Sequence, residues 1–152
     1  MKRLILVLLL LAATPVFAQY WGVPGSAGDI DDASETLFDT DGPTLKFKSG
    51  QTGTIVARYP VFSSVQDPGW TDLAVNYTGA GVSVKLIRLL YCNKFTNQLL
   101  SESMPTGESN TCEGAAVPAN SWDFTQWTYY VEVTLTRGST ATDPQLHQLH
   151  FQ

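Results

Sequence analysis

The segment from Trp127 to Thr136 alternates without a break. Trp127, Tyr129, Val131, Val133 and Leu135 fall on one side, and Thr128, Tyr130, Glu132, Thr134 and Thr136 on the other. Successive side chains of a strand point to opposite faces, so this order makes one apolar face and one polar face. On a helix the same apolar residues would be smeared around the circumference. A strand of this kind is stable only in a sheet whose apolar face is covered by another layer.

The same period of two recurs upstream. Leu45 and Phe47 alternate with Lys46 and Lys48. Ile55, Ala57, Tyr59 and Val61 alternate with polar or outward positions, with Gly50 and Gly53 bracketing the turn between the two runs. Pro60 removes a ladder donor and predicts an edge or a bulge at the end of its strand. Leu73, Val75 and Tyr77 form a third run that stops at Gly79-Ala80-Gly81, and Val82, Val84 and Leu86 begin a fourth. There the apolar parity slips to Ile87, Leu89 and Tyr91, which predicts one inserted residue in that strand with Arg88 pointing away from the core. Residues 98–101 read as the return arm of a short hairpin, and 145–151 as a last strand with Leu149 and Phe151 on one face. About seven short strands with no βαβ rhythm predict an all-β chain folded as an antiparallel two-sheet β-sandwich. A closed β-barrel is the alternative, because strand count does not separate the two. The expected core is Leu45, Phe47, Ile55, Ala57, Leu73, Val75, Val84, Leu86, Leu89, Val131, Val133 and Leu135.

The chain opens with Met1-Lys2-Arg3, an apolar run from Leu4 to Ala13, and Val16 and Ala18 three and one positions before Gln19. This is the order of a secretory signal peptide over residues 1–18, too short for a membrane span and therefore not a permanent anchor. The expected location is secreted, periplasmic or extracellular. Cleavage would leave seven basic side chains against fourteen acidic ones, a net charge near -7. Nucleic-acid binding asks for a basic stripe, and none is present. Residues 19–43 hold Asp29, Asp31, Asp32, Glu35, Asp39 and Asp41 with no basic partner, and they are rich in glycine. They read as a partly ordered N-terminal arm, with the sandwich domain occupying 44–152.

In an oxidising compartment the two cysteines, Cys92 and Cys112, are expected to form a disulfide. The nineteen residues between them match neither a redox CxxC nor half a zinc site. His147 and His150 are three apart, an odd step that places them on opposite faces of a strand and argues against a two-imidazole site. No serine elbow, Walker motif or dinucleotide fingerprint occurs. The carboxylates Asp123 and Glu132, with Asp72 nearby, leave a small glycoside hydrolase as one enzymatic reading. The six acids of the arm, Asp29, Asp31, Asp32, Glu35, Asp39 and Asp41, are candidate oxygen ligands for calcium, the one cofactor considered. Asn76-Tyr77-Thr78 fits the N-glycosylation pattern but also reads as a strand terminus.

Two non-enzymatic readings remain. The arm or the sheet edges could pair with copies of the same chain, which makes a structural or adhesive, self-associating subunit, and this is the principal expectation. The alternative is a carbohydrate- or polymer-binding module that uses exposed aromatic residues, with Trp70, Trp122, Phe124 and Tyr130 as the candidate surface.

Overall fold

The computed structural model describes residues 19–90, 97–103, 112–118 and 120–152. These form a two-sheet antiparallel β-sandwich. In chain order the strands are β1 (Trp21–Pro24), β2 (Asp29–Ile30), β3 (Phe38–Asp41), β4 (Thr44–Phe47), β5 (Gly53–Val61), β6 (Asp72–Thr78), β7 (Val82–Leu90), β8 (Asn97–Ser103), β9 (Cys112–Ala116), β10 (Trp127–Arg137) and β11 (Gln145–Phe151). One sheet runs β3-β4-β11-β6-β9, with β1 also paired to β11, and the other runs β2-β5-β10-β7-β8. Each sheet keeps its own edges, so the barrel alternative falls.

The long alternating run becomes β10, the centre of the second sheet. It pairs along its length with β5 on one side and β7 on the other. Val131, Val133 and Leu135 are fully buried against Leu45, Leu73, Val75, Leu146 and Leu149 of the facing sheet. Burying a side chain of this size contributes roughly 1.5–3 kcal/mol. The expected core is formed as read, except that Leu89 is only half-buried. Pro60 lies where β5 has become an edge, because β2 stops opposite Arg58.

Three local expectations change. The irregularity beside Leu86 and Ile87 is present, but the extra residue is Leu100 on β8: Leu86 faces Ser101 and Ile87 faces Leu99. Strand β7 therefore keeps its register with β10, which leaves Arg88 on the inner side with Leu86 and puts Ile87 and Leu89 outside. A second bulge occurs at His147, since Leu146 pairs with Tyr77 and Gln148 with Asn76. The inserted residue restores the parity, so His147 and His150 share the outer face, contrary to the odd-step argument.

The separate arm is the largest correction. Residues 21–41 enter the first sheet at β1, cross to the second at β2, and return to the first at β3. The glycines are what permit this. A Cβ on Gly28 would lie 2.5 Å from the Tyr59 ring, and one on Gly25 would lie 2.1 Å from the Leu146 carbonyl oxygen. The backbone thus lies directly on the core, and Tyr59 Oη donates to the Gly25 carbonyl at 2.6 Å. Trp21 is buried and packs on Phe151 with ring centres 5.1 Å apart. One edge of each of these strands pairs with β11, β5 or β4 of the same chain, so the segment is part of the sandwich and not a free arm.

Candidate functional site: an aromatic recess at one end of the sandwich

Where β5 ends and β10 begins, two loops meet. Phe124 N–H donates to the Gln66 carbonyl at 3.1 Å, and Gln66 Nε2 donates to Asp123 Oδ1 at 3.3 Å. Asp123 also caps its own turn, accepting from Thr125 N–H at 3.0 Å and from the Thr125 hydroxyl at 2.5 Å. The Thr125 hydroxyl is the largest of the influences that hold the Asp123 carboxyl below its usual range. Tyr129 Oη donates to the Ser121 carbonyl at 2.9 Å and accepts from Asp123 N–H at 2.6 Å. Burial is the main cause raising the pKa of that phenol.

Beneath the loops lies a stack of rings. Trp70 is parallel to Phe151 at 5.2 Å, and Trp122 is edge-on to Trp70 at 5.2 Å. Phe124 is parallel to Trp122 at 5.8 Å and tilted on Tyr129 at 4.7 Å. Trp122 Nε1 donates to the Trp70 carbonyl at 2.8 Å, and Trp70 Nε1 donates to the Gln19 carbonyl. Both tryptophans are buried, at 4% and 5% exposure. They close the end of the core, which corrects the expectation that Trp70 and Trp122 form a binding surface. The apolar rings exceed what the sheet interior holds, and they pack over its open end instead of facing water.

Phe124, the outermost ring of the stack, is half-buried and opens onto a recess of about 350 Å³. Pro60, Val61, Phe62, Ser63, Trp127, Thr128 and Tyr129 complete its walls. Phe62 is 69% exposed. Trp127 is half-buried, and the Arg88 guanidinium sits 4.3 Å from its ring centre. Arg88 is itself fixed by Gln98 Oε1 at 2.7 Å and the Ser121 carbonyl at 3.1 Å. The recess is therefore an aromatic pocket with hydroxyls at its rim. Of the four aromatic residues expected at a surface, Phe124 lines it. Tyr130 stands just beyond on the outer face of the sheet, paired in register with Pro60. Phe62 and Trp127 were not among them. The signal for Phe62 was an outward parity shared with Pro60. Trp127 reads as core by the same alternation, but at the first position of a strand that side is not covered.

The remaining candidates disperse. Asp31 pairs with Arg58 at 3.2 Å and Asp41 with Lys46 at 2.9 Å, while Asp39 accepts from Thr40 N–H at 2.9 Å. Among the described residues no group of three or more His, Cys, Asp or Glu is placed to hold a metal, so the calcium grouping of Asp29, Asp31, Asp32, Glu35, Asp39 and Asp41 does not form. Glu132 pairs with Arg58 at 3.1 Å. Asp123 sits beside the start of β10, and Glu132 is five residues along it, roughly 16 Å away at strand rise. A glycosidase pair stands about 5–9.5 Å apart, so these carboxylates are not brought together. His147 is held between the hydroxyls of Thr44, at 2.9 Å, and Thr78, which makes it a cross-strand tie in place of an exposed terminus. Asn76 is on β6, half-buried beside it. Cys92 lies outside the described residues, and with it the disulfide expectation. Among the described residues no helix is long and apolar enough to cross a membrane.

No protein-family model and no curated protein sequence matches the chain. Several solved structures are similar at low scores. CsCBM6-3 from Clostridium stercorarium, in complex with cellobiose, is similar at 10% identity and a TM-score of 0.49, over 87% of this chain and 92% of its own. The carbohydrate-binding module CBM36, in complex with calcium and xylotriose, is similar at 12% identity and 0.47, over 87% and 99%. A family two carbohydrate esterase from Cellvibrio japonicus is similar at 11% identity and 0.42 over 88% of this chain, which spans a third of the esterase's length, 33%. Scores this low assign neither ligand nor activity to this chain.

Proposed function

We propose that this chain is a non-catalytic carbohydrate-binding module exported by the leader over residues 1–18, with its principal contact in the aromatic recess. The observation that carries this reading is Phe62, an aromatic ring left 69% exposed beside Trp127 and Phe124 on a platform locked by hydrogen bonds. A sugar ring has an apolar C–H face and a rim of hydroxyls. Aromatic walls answer the first, and Ser63, Thr128 and nearby backbone groups answer the second. The hydrogen bonds that join the two loops under Phe124 lower the cost of binding, because that backbone is already ordered, and the exposed Phe62 side chain is left to be fixed by the ligand.

Affinity electrophoresis through gels containing neutral glucans, xylan or galactan tests the reading. At least one polysaccharide is expected to retard the mature chain, and Phe62→Ala and Trp127→Ala should each weaken that retardation about tenfold, the effect of losing roughly 1.4 kcal/mol. Unretarded migration in every gel, or retardation untouched by both substitutions, refutes it.

A further inference from the structure

We infer that the recess is one end of a longer track, and that the ligand is an extended, uncharged polysaccharide laid across the outer face of the sheet β2-β5-β10-β7-β8. This rests on the glycan-binding reading and adds to it the length and charge of the ligand.

The register fixes what that face presents. Because Val131, Val133 and Leu135 are buried inward, Thr128, Tyr130 and Glu132 of β10 face out. Tyr130 lies between Pro60 of β5 and Ile87 of β7, and Glu132 between Arg58 and Lys85. Phe62, two residues beyond Pro60, and Thr128, two before Tyr130, are walls of the recess. Recess and face are thus one continuous surface. From Thr128 to Glu132 it extends about 13 Å at strand rise, in addition to the recess itself, which is room for several sugar rings and more than a single ring needs.

Its chemistry changes along that length. The recess end is aromatic. In the middle, the half-buried Tyr130 ring carries a hydroxyl with no hydrogen-bond partner among the described residues. At the far end, Arg58 is shared between Glu132 at 3.1 Å and Asp31 at 3.2 Å, and Lys85 faces Glu132 across the strands. Charges answered in this way still donate to and accept from hydroxyls, but they offer no uncompensated cationic cluster for a uronate or sulfate. The acid excess of the whole chain opposes a polyanion further.

Calorimetric titration of the mature chain with β-1,4-linked glucose and xylose oligomers of two to six units, and with polygalacturonate, tests the inference. For one neutral series, affinity should rise about tenfold or more from the dimer to the hexamer. Tyr130→Ala should compress that rise to less than about threefold, whereas Tyr130→Phe, which keeps the ring, should retain most of it. A thermal midpoint close to that of the parent protein shows that the Tyr130→Ala chain is folded. A neutral series bound equally at all lengths, a rise unchanged in Tyr130→Ala, or tighter binding of polygalacturonate overturns the track. If binding is flat with length but lost in Phe62→Ala, the recess stands without the track. If no oligomer binds, the track falls, and the glycan-binding reading falls with it when no gel retards the chain either.

Discussion

Replacing Trp122 with alanine separates core from surface more sharply than any other single change. The ring is 5% exposed and lies within 5.8 Å, centre to centre, of Trp70, Phe124, Tyr129 and Phe151. Truncating a buried aromatic of this kind costs about 3–5 kcal/mol through lost transfer energy and the cavity left behind. The Trp70 carbonyl also loses its indole donor, which adds about 1 kcal/mol if no water replaces it. The sum, about 4–6 kcal/mol, is about a quarter or more of the roughly 5–15 kcal/mol that holds a typical domain together. Phe62→Ala is the counterpart: at 69% exposure it should leave stability within about 0.5 kcal/mol while weakening polysaccharide binding about tenfold. Urea unfolding should be followed by far-ultraviolet circular dichroism, since tryptophan fluorescence changes with the substitution itself. The same preparations run on polysaccharide gels then compare both properties. If Trp122→Ala unfolds within about 1 kcal/mol of the parent, or if Phe62→Ala is destabilised with its binding intact, the assignment of the two rings is wrong.

Gly28→Ala should destabilise by about 1–3 kcal/mol, the usual cost of overpacking, because its methyl would lie 2.5 Å from the Tyr59 ring; an unchanged urea midpoint would mean that residues 19–43 do not pack as described. Burial raises the pKa of the Tyr59 and Tyr129 phenols, so the stability they contribute is complete below the unfolded tyrosine value near 10 and is lost as the pH climbs toward their folded values. Ultraviolet titration of the phenolate should therefore show both ionising only with alkaline unfolding, and Tyr59→Phe should move that unfolding to higher pH; two phenols titrating normally in the folded chain would contradict this. Thiol labelling of the unreduced, denatured protein should find no free cysteine if Cys92 is bonded to Cys112, and two labels per chain would refute the bond.

Alternation made most of the sandwich legible. Strands β4, β5, β6, β7 and β10, and the end of β11 at Leu149 and Phe151, each carry an apolar set at every second residue, and a one-residue slip would turn that set to water. What alternation cannot register is a strand stabilised mainly by its neighbours' backbones. The segment 21–41 that holds β1 to β3 contains six acids and few large apolar side chains, and it reads as solvated chain. It folds because Gly25 and Gly28 allow main chain to contact Leu146 and Tyr59, and because Asp31 and Asp41 find Arg58 and Lys46, residues 27 and 5 positions away. The bulge at His147 was hidden for a related reason. An inserted residue is specified by the partner strand's register, and nothing in Leu146-His147-Gln148 marks it.

The site was legible in composition but not in position. A cluster of aromatic residues between 122 and 130 is visible in the sequence, and so is the choice it presents, since a small sandwich also needs large rings to seal its ends. Which rings seal and which remain outside depends on how the loop after β5 meets the loop before β10, a contact between residues 66 and 124 that no local pattern encodes. Once that contact is made, the division follows from packing. Trp70 and Trp122 each have an indole N–H that must find an acceptor when buried, and carbonyls of Gln19 and Trp70 supply them. Phe62 has no polar atom to satisfy, so hydrogen bonding gives no reason to leave it outside. Its exposure follows instead from strand parity, which directs Val61 to the core and Phe62 away from it. A phenylalanine held outward beside Trp127 and Phe124 keeps an apolar surface in water that folding alone does not require. That retained surface is the strongest physical reason to look for a ligand there and not at the buried tryptophans.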